Sequence, residues 1–528
     1  MGSTVYEQFV RSTELYPDCP FLYIVSDTSN RYGMKPGPIS YGMARLEVDR
    51  LIKGYSTFGI KKGQRVAIGL ENRPEFFYHW LALNALGISV VPLNPAWKKA
   101  ELEFVLGHSE ACLTIALPEY LKALYEAAKA SSGCEVKTPH SIDGDHKAEV
   151  TGDATSECAL LYTSGTTGKP KGCILSNEYY TLAGKWYAGI GGYCELTPGE
   201  DRLITPLPMY HMNAMASSTM GMLMTGSCIV PLDRFHPNTW WKSVKECDAT
   251  IMHYLGVMPA MLMNIKPGPH DRLHNLRFGF GAGLSGELHT SFEERFGISL
   301  IEAWAMTETG CSVAVIANEE PRKVGTACFG RPPDYMDYRL IDDNGISVVP
   351  GQPGELLVRR SGAKPALGFF SGYLKDADAT AKAWADGYFH TGDLVYVDED
   401  GLMHFVDRKK NVIRRSGENI SAVEVEEVVM EHPDVRAVGV TAVPDQIRGD
   451  EVFACVVTDK DIDKLSLELV AHCLQTLAYY KAPAYIAKVD ALPLTSTEKI
   501  QRSNLKELAL QLMKSNNFVD LRTQKVSR

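Results

Sequence analysis

The chain has no C-x-x-C pair and no clustered spacing among its 12 cysteines. Neither a zinc knuckle nor a disulfide frame is therefore written into it, and scattered thiols in a chain of 528 residues predict a reducing compartment. It also has no basic excess. Lys and Arg number 54 against 64 Asp and Glu, a formal charge of −10, which excludes binding to nucleic acid through a broad basic surface. No uninterrupted apolar run reaches the roughly 18 residues of a membrane span. The opening "MGSTVYEQFVRSTELYPDCP" lacks the basic and apolar regions of a secretion signal. Its Met-Gly start carries Tyr6 where a myristoylation motif needs Ser or Thr. There is no internal repeat and no low-complexity tract. What remains, 45% hydrophobic and 22% charged residues, is ordinary for a globular enzyme. The expectation is a cytoplasmic protein with neither nucleic acid nor membrane as partner.

Strand and helix patterns alternate through the first three quarters. "RVAIGL", "ISVVPLN", "ACLTIAL", "RLITPLP", "SCIVPL", "ATIMHYLGV" and "LRFGFGAG" read as buried strands, and "RPEFFYHWLALNALG" between the first two as a helix. Such alternation predicts parallel sheets covered by helices. The polar stretch from Ala130 to Glu157 reads as an exposed connection. From Val324 to Phe405 short strands with Gly and Asp turns predict antiparallel or barrel-like structure. A charged segment, "DRKKN", precedes a compact α+β pattern, which places a domain boundary near Lys410. The final stretch, "NNFVDLRTQKVSR", reads as frayed.

"TSGTTGKPKG" (163–172) interrupts two apolar runs with hydroxyls, glycines and two lysines. A loop can turn several backbone N–H groups on one anion only where its side chains are tiny, and Gly165 and Gly168 permit that approach. Thr163, Ser164, Thr166 and Thr167 add hydroxyl donors, and Lys169 and Lys171 add charge. A solvent-exposed hairpin is the plainer reading, but hairpin loops take two to five residues. The stretch is not a Walker A loop, because two residues rather than four separate Gly165 from Gly168 and Pro170 follows Lys169. A second phosphate signal, "GAGLSG" (281–286) with Glu302 farther on, fits a dinucleotide fingerprint and an NAD(P) oxidoreductase. It leaves the first loop unexplained and is kept as a remote alternative.

Four further segments, "AWAMTETG" (303–310), "GYFHTGDL" (387–394), "DRKKNVIRRSGENISAVEVE" (407–426) and "LPLTSTEKIQR" (492–502), carry a resemblance over essentially the whole chain. In this order they resemble the adenylate-forming superfamily of acyl-CoA synthetases, luciferases and peptide-synthetase adenylation domains. Within it the chain is most similar to crotonobetaine/carnitine CoA ligase-like acid–CoA ligases.

The resemblance implies a large N-terminal domain (1–409) of two α/β subdomains and a distorted β-barrel, then a small mobile α+β domain (410–528). It implies ATP, Mg²⁺ and coenzyme A, a small carboxylic acid as partner, and a monomer or homodimer. The nucleotide would lie against the 163–172 loop, Gly281, Ala282, Gly283, Glu302, Ala303 and Trp304, with Trp304 stacking on adenine. Thr307 would donate to the α-phosphate, Glu308 would ligate Mg²⁺, and Asp393 with Arg408 would take the ribose. Lys499 would bridge α-phosphate and carboxylate, Lys410 would be the hinge, and Gly417 would face the pantetheine of CoA. His211 would gate the acid site, walled by Met212, Asn213, Tyr254, Leu255, Gly256, Phe280, Gly281, Met306 and Cys311. Arg277, His253 or Arg331 would pair the second carboxylate of a diacid.

Each of these residues has a plainer reading: core filling for Trp304, a turn aspartate for Asp393, a solvated face for Lys499. His270 and His274 read as structural. Ala305, Asn177 and Glu498 depart from the family's pattern, and Ala305 is expected to shorten the acid pocket. A stand-alone enzyme that loads a carrier protein is the alternative activity, and a binding module without chemistry a third.

Overall fold

The computed structural model describes residues 3–146, 149–163, 170–269, 271–284, 286–342, 344–408, 413–420, 422–493, 500 and 502–525. The chain divides into two compact units. One takes Met1–Pro95, Val105–Tyr162 and Gly172–Val406; the other takes Ala96–Phe104, Thr163–Lys171 and Asp407–Arg528.

In the first unit, among the described residues, eight strands form one sheet in the order Gly310–Ile316, Ser299–Met306, Phe278–Ala282, Ile251–Leu255, Arg202–Thr205, Cys228–Pro231, Pro20–Ile24, Gly37–Ser40. Its six inner strands pair in parallel, and the two edge strands are antiparallel to them. That agrees with the apolar runs, because a strand buried on both faces has no polar side to show. A second sheet runs Gly372–Tyr373, Lys171–Ser176, Glu157–Thr163, Ser89–Pro92, Arg65–Gly69, Leu113–Ala116, Glu135–Lys137. Its last strand lies inside the stretch expected to be an exposed connection, and Ile142 just beyond it is fully buried. Polar composition hid both: an edge strand needs few apolar side chains.

The helix Asn177–Ala188 starts at Ser176, whose hydroxyl accepts from the Tyr179 amide at 3.2 Å. It buries Tyr179, Tyr180 and Tyr187 completely. Asn177, where the family's pattern has His, is structural here. Its Oδ1 accepts from the Val5 amide at 3.0 Å and from Asn84 at 2.8 Å, tying the first helix down. The antiparallel layer expected over 324–405 is present, five strands in the order Cys328–Gly330, Met403–Arg408, Phe389–Val397, Gly354–Arg360, Met336–Ile341.

The second unit holds a six-stranded sheet whose centre is the antiparallel pair Ala437–Asp445 and Gly449–Val457. Helices Ala422–Met430, Ile462–Thr476 and Arg502–Lys514 belong to the same unit. Through Lys525 its C-terminal stretch is not frayed. Val519–Asp520 pairs with Tyr485–Lys488, and Leu521 and Lys525 are buried. Cys112, Cys158 and the other ten cysteines are all free thiols. No helix among the described residues is long and apolar enough to cross a membrane.

Candidate active site

The strands Ile251–Leu255 and Phe278–Ala282 run side by side, and near their ends Gly281 and Gly256 lie too close to neighbouring backbone to carry a side chain. A methyl group on Gly281 would lie 2.2 Å from the Tyr254 carbonyl oxygen, and one on Gly256 would lie 1.8 Å from that of Gly283. Backbone contact alone thus accounts for Gly281 and Gly256. Beyond them Ala282 and Gly283 are exposed. The buried Glu302 carboxylate, on the next strand, accepts from the Leu284 amide at 3.0 Å and fixes the turn. Its burial raises its pKa, partly offset by that bond. In this structure the acid of the dinucleotide-like pattern holds backbone, which removes the main support for an oxidoreductase.

Ser299–Met306 and Gly310–Ile316 form a hairpin with an irregularity at Trp304 and Met306. Its tip is Thr307–Thr309. The Tyr179 hydroxyl donates to the Thr307 carbonyl at 3.0 Å, and the Phe370 amide to that of Glu308 at 2.8 Å. Thr307 is half-buried, and Glu308 is 8% exposed. The Glu308 Oε1 accepts from the Tyr373 hydroxyl at 2.9 Å, and burial together with that carboxylate raises the tyrosine's pKa. Tyr373 pairs with Cys173, on the strand that leaves the glycine-rich loop. The loop's exit strand and the carboxylate are thereby joined through one tyrosine, its backbone paired with Cys173 and its hydroxyl on Glu308. Sequence reading missed Tyr373; its signal was the "SGY" that follows two buried phenylalanines.

Trp304 is 5% exposed and packs near Phe329 at 6.3 Å between ring centroids. Its indole N–H donates to the Asp393 Oδ2 at 2.9 Å. Asp393 is 1% exposed, and its amide donates to the Thr391 hydroxyl at 3.0 Å. Arg408 closes the strand Met403–Arg408. Ala303 is half-buried and Ala305 exposed.

Of the expected acid-site residues, Met212, Tyr254, Phe280 and Cys311 are buried, while His211, Asn213, Leu255, Gly256 and Met306 are half-buried. His211 lies edge-on to Tyr210 at 4.7 Å. Directly after it Asn213–Ser218 winds as a π-helical turn, a widening that recurs at functional sites. The turn brings Asn213 Oδ1 and Ser218 Oγ each to 2.8 Å from His253 Nδ1. Tyr187 Oη lies 2.6 Å from Nε2. An amide oxygen only accepts, so Nδ1 carries the proton and Nε2 accepts from Tyr187. Burial lowers the His253 pKa to about 3, and the ring is neutral. Arg277 is held by Asp201 and the Glu195 carbonyl, and Arg331 by the Asp400 carbonyl. The three groups expected to pair a second carboxylate are already engaged. His274 is structural as expected, stacked on Trp241 at 5.3 Å.

A model of the AMP-binding enzyme family matches residues 11–374, and its C-terminal domain matches 424–499. The chain belongs to that family. Crotonobetaine/carnitine–CoA ligase of Escherichia coli O45:K1 is 31% identical over 490 residues, 88% of this chain and 93% of that one. The protein of the same name from Shigella sonnei matches equally. Among solved structures the fold is similar to that of o-succinylbenzoate CoA synthetase from Bacillus subtilis, at TM-score 0.84 and 24% identity, covering 96% of this chain and 99% of that one. The amide bond synthetase of Marinactinospora thermotolerans has a TM-score of 0.80 at 23% identity, with the same coverage. The family carries the expected adenylate-forming fold and enzyme class. Residues 164–169, His270, Lys410, Glu498 and Lys499 lie outside the described residues.

Proposed function

We propose that this enzyme joins a monocarboxylic acid to coenzyme A, splitting ATP to AMP and pyrophosphate. A carboxylate oxygen attacks the α-phosphorus, the bond to pyrophosphate breaks, and the thiol then attacks the acyl carbonyl and displaces AMP. The observation that carries this reading is the Thr307–Glu308 tip, held by Tyr179 and by Tyr373 beside the exit of the glycine-rich loop. Charge grows on phosphate oxygens in the first step, so fixed donors set beforehand lower its barrier.

In this assignment the 163–172 loop holds the outer phosphates, and Thr307 donates to the α-phosphate. Lys499 supplies the cation between phosphate and carboxylate. Asp393, held by Trp304, accepts the ribose hydroxyls, with Arg408 beside it. Ala282, Gly283 and Ala303 line the adenine. Trp304 is too buried to present much of its face, so its part is to hold Asp393. Glu308 fits Mg²⁺, which takes one or two carboxylates and completes its shell with phosphates and water. No cluster of three acidic, His or Cys ligands stands among the described residues. The ion, when bound, neutralises phosphate charge. Lys410 serves as the hinge of the small domain, and Gly417 borders the path of the thiol.

The expected wall of His211, Met212, Asn213, Leu255, Phe280, Met306 and Cys311 carries no fixed cation. A short or medium acid with one carboxylate fits it, and the exposed Ala305 shortens the space. The similarity to crotonobetaine/carnitine–CoA ligases brings betaine-like acids into consideration beside aryl acids. The deciding experiment is a pyrophosphate-release screen over a panel of carboxylic acids, with and without CoA. Release by at least one acid, with thioester only when CoA is present, supports the proposal. Release with acyl transfer to a carrier protein and none to CoA would favour the carrier-loading alternative.

A further inference from the structure

Ile413–Arg415 and Glu418–Ile420 form a hairpin closed by two residues, Ser416 and Gly417. Both have positive φ, 51° and 87°. Such a turn suits the twist of a hairpin, but it normally takes Asn, Asp or Gly at its first position. Ser416 occupies a left-handed conformation that its side chain disfavours. Its hydroxyl, moreover, is buried without a hydrogen-bond partner among the described residues. A conformation of this kind persists only where its surroundings enforce it.

The surroundings are charged and buried. Arg415 Nε donates to Glu451 Oε1 at 2.7 Å, and Lys525 Nζ donates to Glu451 Oε2 at 3.3 Å. The three side chains are 5%, 1% and 0% exposed for Arg415, Lys525 and Glu451. Arg448 approaches the same carboxylate at 3.5 Å, and its carbonyl accepts from the Ser416 amide at 2.9 Å. Arg415 stands opposite Gly449 in the sheet, and the Arg414 amide donates to Asp450 at 3.1 Å. Lys525 reaches Glu451 because the chain before it is pinned: the Leu521 amide donates to the Ala484 carbonyl at 2.8 Å, and Leu521 is buried.

Three basic side chains thus meet one buried carboxylate, and burial beside Arg415 lowers the Lys525 pKa to about 7. That is a poor device for stability, since a buried ion pair repays its desolvation only with good geometry. It does fix both carboxylate oxygens, and with them the arginine that leads into the strained turn. We propose that Lys525 is a positioning residue for the thiol-accepting step: through Glu451 it holds Arg415, and so sets the Ser416–Gly417 turn in the shape that the CoA arm meets. This rests on the reading that Gly417 borders the path of CoA.

The test compares wild type, Lys525→Met and Lys525→Arg in the two half-reactions. Acid-dependent exchange of labelled pyrophosphate into ATP reports adenylation, and thioester formation at varied CoA reports the second step. Lys525→Met is expected to raise the KM for CoA about tenfold, the scale of one charge-assisted hydrogen bond, with exchange within about twofold. Lys525→Arg is expected to restore most of the affinity for CoA. An unchanged KM for CoA in Lys525→Met overturns the inference. So does equal loss in both half-reactions, which assigns the residue to folding alone. If wild type exchanges pyrophosphate but never forms thioester with CoA, the proposed acceptor is wrong, and the inference falls with it.

Discussion

The indole N–H of Trp304 and the carboxylate of Asp393 are joined at 2.9 Å, both side chains almost wholly out of water. A buried carboxylate that loses a donor is left short of a hydrogen bond, at a cost of about 1–3 kcal/mol. Trp304→Phe keeps the ring volume close and removes the donor. The KM for ATP, read from pyrophosphate exchange, is expected to rise about tenfold with a smaller change in kcat. An unchanged KM would free Trp304 from any part in nucleotide binding.

Tyr373 and Glu308 make a second such pair. With Glu308 holding Mg²⁺ as proposed, removing its partner is expected to cost roughly 10–100-fold in metal affinity or activity. Tyr373→Phe should therefore need about tenfold more Mg²⁺ for half-maximal adenylation. Excess Mg²⁺ should recover most of the rate. A loss that Mg²⁺ does not recover would place Tyr373 in packing alone.

Burial holds His79 and His253 neutral, each with its pKa lowered to about 3. An unfolded histidine takes its proton near pH 6.5. Between about 6.5 and about 3 the unfolded chain binds more protons than the folded one, so stability falls as pH drops. Each histidine should cost about 1.4 kcal/mol per pH unit below 6.5, or about 2 kcal/mol at pH 5. Urea unfolding at pH 7 and pH 5 checks this. His79→Gln or His253→Gln should flatten the loss by that amount, and a slope identical to wild type would contradict the assignment.

Lys499→Ala should depress adenylation about 10²–10³-fold, the usual scale for one transition-state donor. Thioester formation from supplied acyl-AMP should change far less. Equal loss in both steps would remove Lys499 from the first one.

Legibility in the sequence followed the range of the interactions. The parallel strands from Arg65 to Met306 were readable because a strand buried on both faces writes itself as an apolar run. The glycine-rich loop and the Thr307–Glu308 segment stood out because phosphate chemistry, as proposed for them, needs those residue types in a short stretch; of the loop only Thr163 and 170–172 lie among the described residues. What failed was long-range. Lys525 read as part of a frayed tail, since nothing local shows that Glu451 and Arg415 wait for it. Arg277, Arg331 and His253 read as free for a ligand, because their partners lie elsewhere in the chain. The π-helical turn after His211 left no periodic trace, and Tyr373 stood apart from the motif it supports.

Adenylation is read most directly by exchange of labelled pyrophosphate into ATP, run over the acid panel without CoA. Exchange is expected to require both an acid and Mg²⁺, and then to yield AMP and thioester in equal amounts once CoA is added. Exchange with no acid present, or ADP in place of AMP as the nucleotide product, would contradict adenylation of the acid.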